Sequence, residues 1–119
     1  MGHLGILPQT VKGKFKFKGK KIKERNQIFK DAKLLQDKGV FSIVLECVET
    51  TLAKQITKSL EIPTIGIGSS QNCDGQVLVI DDLIGSNETK TKFVKKFGRI
   101  KNNISQAVRN FKKEVLSKK

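Results

Sequence analysis

The sequence predicts an α/β protein with a parallel β-sheet. Short, nearly unbroken apolar runs, typical of strands buried on both faces, alternate with segments whose apolar residues recur every three or four positions, as on one face of a helix. The 119 residues suffice for one small domain with its own core. With 37% apolar and 29% charged residues, the composition is that of a globular chain.

The N-terminal residues predict the end of a strand followed by a loop. Residues 3–7 form a short apolar run that Pro8 ends. Residues 10–24 form a basic, glycine-punctuated loop, in which Phe15 and Phe17 alternate with lysines at the two-residue period of a short ribbon.

Two helices with a buried strand between them are predicted next. Apolar residues on one face predict a helix over 24–38, namely Ile28, Phe29, Ala32 and Leu35. Residues 41–48 are almost wholly apolar, which predicts a strand of a parallel sheet. A second helix is predicted over 49–60, and Thr50 or Thr51 is the candidate for its N-terminal cap.

The rest of the chain predicts two more strands and a helical C-terminal third. Residues 63–68 and 76–80 have the apolar character of buried strands, and the polar residues 69–75 predict a turn between them. The helical third includes apolar residues before Gly98, namely Phe93, Val94 and Phe97. Apolar residues at a spacing of about four then continue to the end, namely Ile100, Ile104, Val108, Phe111 and Val115.

The charge balance raises the possibility of nucleic-acid binding. The net charge is +13, from 24 Lys and Arg against 11 Asp and Glu. Arginine, which reads phosphates and base edges in bidentate fashion, occurs only as Arg25, Arg99 and Arg109, and there is no Tyr or Trp to stack on bases. We therefore favour a lysine-coated solvent face and keep a basic nucleic-acid-binding module as the alternative.

The remaining global features indicate a cytoplasmic protein. No stretch approaches the roughly 18 apolar residues of a membrane span, and the first residues do not have the pattern of a signal peptide. Cys47 and Cys73 form no CxxC pair, and a single histidine cannot complete a common zinc site. Reduced thiols are the expectation for both cysteines.

Glu46 and His3 are the candidate site residues. Glu46 ends an otherwise apolar strand, where a partly desolvated carboxylate would serve as a general base; the alternative is a surface glutamate paired with a lysine. His3 also lies near a strand end, and a structural or exposed role is the alternative to a catalytic one.

Two further motifs carry weaker signals. Residues 66–71 lack the third glycine of a dinucleotide fingerprint, so Gly66 and Gly68 indicate instead the close approach of a ligand or a neighbouring backbone. Asp81 and Asp82 follow a predicted strand, where they would bind a metal or a substrate hydroxyl, although a helix cap or a solvated turn is the commoner role of such a pair.

Five stretches together resemble the ketopantoate hydroxymethyltransferase family, in the family's order and with near-family spacing. They are GHLGILPQTV at 2–11, VLECV at 44–48, LAKQIT at 52–57, IPTIGIG at 62–68 and CDGQVLV at 73–79. The loop at 13–19 and residues 84–87 depart from the family's usual pattern.

The resemblance implies that residues 1–119 form the C-terminal half of a (βα)8 barrel with parallel strands, about strands five to eight. It implies an enzyme that transfers a hydroxymethyl group from 5,10-methylenetetrahydrofolate to 3-methyl-2-oxobutanoate in pantothenate biosynthesis, with Mg²⁺ holding the keto acid. Glu46 would be the proton acceptor and His3 a substrate-binding residue. The family's metal ligands lie in its N-terminal half, so none is expected in this chain.

The same resemblance sets expectations for the isolated chain. The family forms large homo-oligomers, and a half barrel leaves two strand edges and an apolar interior uncovered. We expect the chain to be inactive alone, and to be insoluble, oligomeric or dependent on a complementary N-terminal half.

Overall fold

The computed structural model describes residues 1–7, 16–87 and 95–118, and these form two compact units, Met1–Val77 and Leu78–Lys119. The first unit contains strands and helices in alternation: β1 (Gly2–Gly5), α1 (Ile22–Asp37), β2 (Ile43–Glu46), α2 (Thr50–Ser59), β3 (Thr64–Ile67) and β4 (Gly75–Gln76). The second contains α3 (Ile80–Ile84) and α4 (Ile100–Ser117). No helix in the described ranges has the length and apolar character that a membrane crossing requires.

The sheet confirms the predicted α/β class. Its four strands lie side by side in chain order, β1-β2-β3-β4, and every neighbouring pair is parallel. The register aligns Gly5, Glu46 and Ile67 across the first three strands. The carboxyl ends of these strands therefore meet at one edge of the sheet.

The core lies between the sheet and the two helices. Ile43 and Leu45 are fully buried in a cluster with apolar residues of α1 and α2: Ile28, Ala32, Leu52, Ala53 and Ile56. Because side chains alternate along a strand, Val44 and Glu46 point to the opposite face of β2, where burial is only partial. That face, away from the helices, carries the candidate site.

The cap of α2 differs from the prediction. Glu49, rather than Thr50 or Thr51, is the N-cap residue, and its carboxylate accepts hydrogen bonds from the N–H groups of Thr51 and Leu52, both at 3.0 Å. Arg25 of α1 donates to the same carboxylate at 2.9 Å, so the cap also joins the two helices.

The buried strand predicted over 76–80 is wrong in extent. β4 is limited to Gly75–Gln76, and Val77, Val79 and Ile80 are 48%, 50% and 62% exposed. β-branched residues favour a strand only where neighbours cover both faces, and within each described unit these side chains lack such cover. Ile80 instead opens α3, whose first turn carries two acids suited to the positive end of a helix.

The second unit confirms part of the helical prediction. The helix predicted over the last apolar series is α4, but all five members of that series are exposed. Phe97 lies outside any helix; its N–H and that of Gly98 donate to the Leu83 carbonyl, each at 2.9 Å. Phe93 and Val94 lie outside the described residues.

The predicted basic loop is described only in part. Pro8 and Phe15 fall outside the described residues, and Phe17 belongs to no strand. Lys18 forms a single parallel bridge to Val48, so the end of this loop returns to the carboxyl edge of β2.

Candidate active site

The two predicted site residues meet at the carboxyl end of the sheet. His3 on β1 and Glu46 on β2 point to the face away from the helices, and His3 Nε2 lies 3.1 Å from Glu46 Oε2. The Glu46 side chain is 15% exposed and that of His3 is 38% exposed. Glu46 is therefore largely shielded from solvent, and its ion-pair partner among the described residues is His3 rather than a lysine. Its role as a base stays a prediction.

Gly5 allows the two strands to come together at this point. It has a φ of +100°, and a Cβ at this position would collide with the backbone oxygen of Glu46. That same oxygen accepts a hydrogen bond from the Ile6 N–H at 2.9 Å. The backbone of the candidate base is thus held by its neighbouring strand.

Cys47, the residue after the candidate base, has a left-handed backbone. Its φ is +51°, and it is the only non-glycine with positive φ among the described residues. Its N–H donates to the Ile67 carbonyl at 2.9 Å, and its own carbonyl accepts from the Lys18 N–H at 2.9 Å. Strained residues that are held on both sides in this way concentrate at functional sites.

Ser69 ties the loop after β3 to the end of β2. Its hydroxyl donates to the Leu45 carbonyl at 2.7 Å and accepts from the Val48 N–H at 2.9 Å. These bonds span the Glu46–Cys47 pair, so a side chain from the loop after β3 helps to fix the direction of the carboxylate. Sequence reasoning missed this residue, because a serine after Gly68 gives no signal of that contact.

The Cys47 thiol is excluded as a nucleophile. Burial, and secondarily the nearby negative charge of Glu46, raises the pKa of Cys47 to about 11, so the thiol stays protonated at neutral pH. Cys73 is also buried, and both cysteines are free, as predicted.

The glycine-rich segment accommodates protein groups. A Cβ at Gly66 would lie 3.0 Å from the side-chain amide of Gln76 and 3.2 Å from Cys73 Sγ. The Gln76 amide in turn donates to the Ser70 carbonyl at 2.9 Å. Gly66 therefore serves the packing of the β3–β4 connection, and the groups that approach it are side chains rather than the neighbouring backbone that was expected.

Asp81 and Asp82 lie in the first turn of α3 and make local contacts. Asp81 accepts from the Ser86 hydroxyl at 2.8 Å, and Asp82 accepts from the Asn87 amide at 2.7 Å. Each carboxylate thus has a partner within its own unit, in agreement with a local role at the start of the helix.

A magnesium ion, which the resemblance implies, is not matched by the donors at this edge of the sheet. Mg²⁺ prefers oxygen ligands in near-octahedral geometry. Within the described ranges, no three His, Cys, Asp or Glu side chains are grouped so as to hold a metal. Glu46 already contacts His3. The described residues thus provide a candidate base and a neighbouring imidazole, without a metal-binding set.

Comparison with known proteins identifies the family. The family model for ketopantoate hydroxymethyltransferase matches residues 1–119. Three relatives are each named 3-methyl-2-oxobutanoate hydroxymethyltransferase. The protein of Pelagibacter ubique is 60% identical over 100% of this chain, which covers 46% of that relative. The protein of Syntrophus aciditrophicus is 49% identical over 97% of this chain and 43% of the relative. The protein of Clostridium botulinum strain 657 is 47% identical over 100% of this chain and 44% of the relative.

The chain thus spans somewhat less than half the length of these relatives. Within that span the family model covers every residue, including the GHLG strand that carries His3 and the LECV strand that carries Glu46. The chain belongs to the ketopantoate hydroxymethyltransferase family.

Proposed function

We propose that this chain supplies the proton acceptor for hydroxymethyl transfer from 5,10-methylenetetrahydrofolate to 3-methyl-2-oxobutanoate, which gives ketopantoate. The observation that carries the proposal is the placement of Glu46: a partly shielded carboxylate, 15% exposed, at the carboxyl end of β2 and 3.1 Å from His3. The names of the relatives agree with this reaction.

The proposed architecture is a sector of a (βα)8 barrel, about strands five to eight. Parallel strands in chain order, with helices on one face, are the arrangement of such a sector. In that architecture the face bearing Glu46 is the barrel interior, and the carboxyl ends of the strands form the mouth where catalytic groups stand.

The role of Glu46 follows from the chemistry of the keto acid. The hydrogen on C3 is acidic because it lies next to the C2 carbonyl. Glu46 takes this proton, and the electrons of the broken C–H bond form the enolate. Hydrolysis of the donor breaks the two C–N bonds of its methylene carbon, the two nitrogens take the protons of water, and the products are tetrahydrofolate and formaldehyde. C3 of the enolate then bonds to the formaldehyde carbon as the C=O π bond breaks, and the oxygen takes the proton that Glu46 removed, which gives the hydroxymethyl group.

His3 has two roles in this proposal. Its contact with Glu46 holds the carboxylate in one orientation, which lowers the entropic cost of reaching the reactive geometry. Its partial exposure leaves the other edge of the ring available to the bound keto acid. His3 is therefore proposed as a substrate-binding residue.

The other parts of the reaction lie outside the residues described above. No step is assigned to Mg²⁺ in this chain, because its described residues lack a ligand set for it. A homo-oligomeric state, implied by the resemblance, and a cytoplasmic location, indicated by the global sequence features, are proposals for the whole protein.

The test is a chimaera in which this chain replaces the matching 119 residues of the Pelagibacter ubique relative. We expect Glu46→Gln to lower the rate of ketopantoate formation by about 10²–10⁴-fold, the usual contribution of a general base. Exchange of the C3 hydrogen of the keto acid with deuterium, measured by NMR, should fall in parallel.

Controls separate chemistry from folding. Glutamine keeps the shape of the side chain and a polar partner for His3, so the unfolding midpoint should stay close to that of the parent chimaera. If the Glu46→Gln protein keeps more than a tenth of the parent exchange rate, Glu46 is not the base.

The net charge of +13 favours one second candidate, a nucleic-acid-binding module. This function predicts binding to a fluorescent oligonucleotide whose logarithmic affinity falls steeply with the logarithm of salt concentration. Fluorescence anisotropy between 50 mM and 200 mM salt measures this affinity. A transferase without this function is expected to bind the oligonucleotide weakly, and no more tightly than it binds other polyanions.

A further inference from the structure

The hydroxyl of Ser69 joins the two ends of the bend that follows β2. It accepts a hydrogen bond from the Val48 N–H at 2.9 Å and donates one to the Leu45 carbonyl at 2.7 Å. Val48 is fully buried, so its N–H needs a partner within the protein. The two bonds of Ser69 therefore close the bend on either side of Glu46 and Cys47.

Cys47 is the point at which this bend departs from an ordinary strand. Its φ of +51° is unfavourable for a residue with a side chain, so the conformation persists only where neighbouring groups hold it. If it relaxed to a negative φ, the peptide that joins Glu46 to Cys47 would turn with it. Main-chain bonds pair β2 with its neighbours, whereas the restraint from Ser69 comes from a side chain that one substitution removes.

The loop that carries Ser69 is closed by hydrogen bonds of its own. Ser70 is fully buried, and its hydroxyl accepts from the main-chain N–H of Asn72 at 3.1 Å and from the Asn72 side-chain amide at 3.0 Å. The Ser70 carbonyl accepts from the Gln76 side-chain amide at 2.9 Å. These bonds do not involve β2. The loop therefore holds Ser69 in place independently and provides a fixed support for the end of that strand.

We propose that Ser69 is a positioning residue for proton transfer, which directs the Glu46 carboxylate towards C3 of the keto acid. This inference rests on the proposed function. His3 contacts the carboxylate at the tip of the side chain, whereas Ser69 holds the main chain at its base. Both supports are needed, because a side chain held at its tip alone still shifts with its backbone. Proton transfer requires the base to lie within hydrogen-bond reach of the proton.

The first measurement is the steady-state kinetics of Ser69→Ala in the chimaera described above. We expect kcat to fall by about 10–100-fold, the range that a misplacement of up to about 1 Å can cost. The KM for the keto acid should change by less than about twofold, since Ser69 does not contact it in this proposal. Ser69→Thr keeps the hydroxyl and should keep most of the parent kcat.

Ser59→Ala is the matched control, because it removes a hydroxyl of the same kind far from the candidate base. Ser59 is half-buried at the end of α2, and its hydroxyl donates to the Ile56 carbonyl at 2.9 Å. We expect its kcat to equal that of the parent. Ser69→Cys gives a second comparison if Ser69→Ala does not fold, since sulfur forms weaker hydrogen bonds than oxygen. A parent-like kcat in whichever variant folds would overturn the inference.

A double-mutant comparison tests whether Ser69 acts through Glu46. The exchange of the C3 hydrogen with deuterium is measured by NMR for Ser69→Ala, for Glu46→Gln and for the two combined. If Ser69 acts by directing the carboxylate, its replacement should change the residual rate of Glu46→Gln by less than about twofold. An equal fall in both backgrounds would overturn the inference and leave the proposed function standing. Parent-like exchange in Glu46→Gln would instead reject the proposed function, and this inference with it.

Discussion

Gly5 determines how closely β1 and β2 approach beside the candidate base. Its positive φ disfavours any other residue, and the space where a Cβ would stand is taken by the Glu46 carbonyl oxygen. A side chain at position 5 would therefore meet both an unfavourable backbone conformation and a steric clash. At Gly39 only the backbone conformation is unfavourable, because its φ is +83° and no atom lies within 4 Å of the corresponding Cβ position.

We expect Gly5→Ala to lower the free energy of unfolding by about 3 kcal/mol or more, and Gly39→Ala by about 1 kcal/mol, the cost of the left-handed backbone by itself. Urea denaturation of the two variants in the chimaera gives both values. If they prove equal, the strand pair can move apart at no cost, and Gly5 does not fix the position of Glu46.

At this same scale, sequence reasoning singled out the candidate site residues but missed the contacts that hold them. A carboxylate at the end of an apolar run is conspicuous in a sequence, so Glu46 could be singled out. The 3.1 Å contact with His3 depends on strand register, and the bonds of Ser69 depend on a loop path, neither of which composition encodes. The left-handed φ of Cys47 had no signal at all, because cysteine has no preference for that conformation.

The start of α2 is the element whose stability depends most clearly on pH. Hydrogen bonds from Thr51, then from Leu52 and Arg25, lower the pKa of Glu49 from its ordinary value of 4.5 to about 2. Because the folded pKa is the lower one, this cap contributes fully above about pH 4.5, and its contribution is lost as the pH falls towards 2.

We expect Glu49→Gln to cost about 1 kcal/mol at pH 7, the usual value of a helix cap, and to cost progressively less between pH 4.5 and pH 2. Unfolding free energies of parent and variant across this range give the difference. Glu61→Gln is the control, since the side chain of Glu61 is exposed and caps no helix. A Glu49→Gln penalty that stays constant down to pH 2 would contradict the assignment.

Among the elements, the apolar pattern of the sequence predicted helices and strands well where the structure buries the apolar side chains. The helices α1 and α2 and the strands β2 and β3 have apolar faces that the structure buries, and their predicted ranges agree with the observed ones to within a few residues. The run at 76–80 is about as apolar as the run that forms β2 but has little cover, and only Gly75–Gln76 pairs with β3. Propensity is the same in both cases, and tertiary packing makes the difference.

For the molecule as a whole, the predicted α/β class and parallel sheet are confirmed, whereas closure into a barrel stays a prediction. Buried strands alternating with helices implied the parallel sheet, and the observed strand order agrees with it. Closure depends on contacts beyond this span of the family fold, so periodicity within the span cannot specify it.

We expect the 119-residue chain by itself to associate or aggregate. Within the described residues β1 pairs with β2 alone, and α4 presents an exposed row of apolar side chains: Ile100, Ile104, Val108, Phe111 and Val115. Size-exclusion chromatography with light scattering should show species larger than 13.3 kDa or material lost on the column. A monodisperse monomer that unfolds cooperatively would contradict this expectation.

The buried thiol next to the candidate base has a consequence for the chemical durability of the site. Oxidants and alkylating agents attack the thiolate, and a thiol with a pKa of about 11 forms almost none of it in a neutral solution. Cys47 is also inaccessible to solvent. The sulfur can therefore stand one residue from the candidate base without making the protein sensitive to peroxide or to electrophilic metabolites.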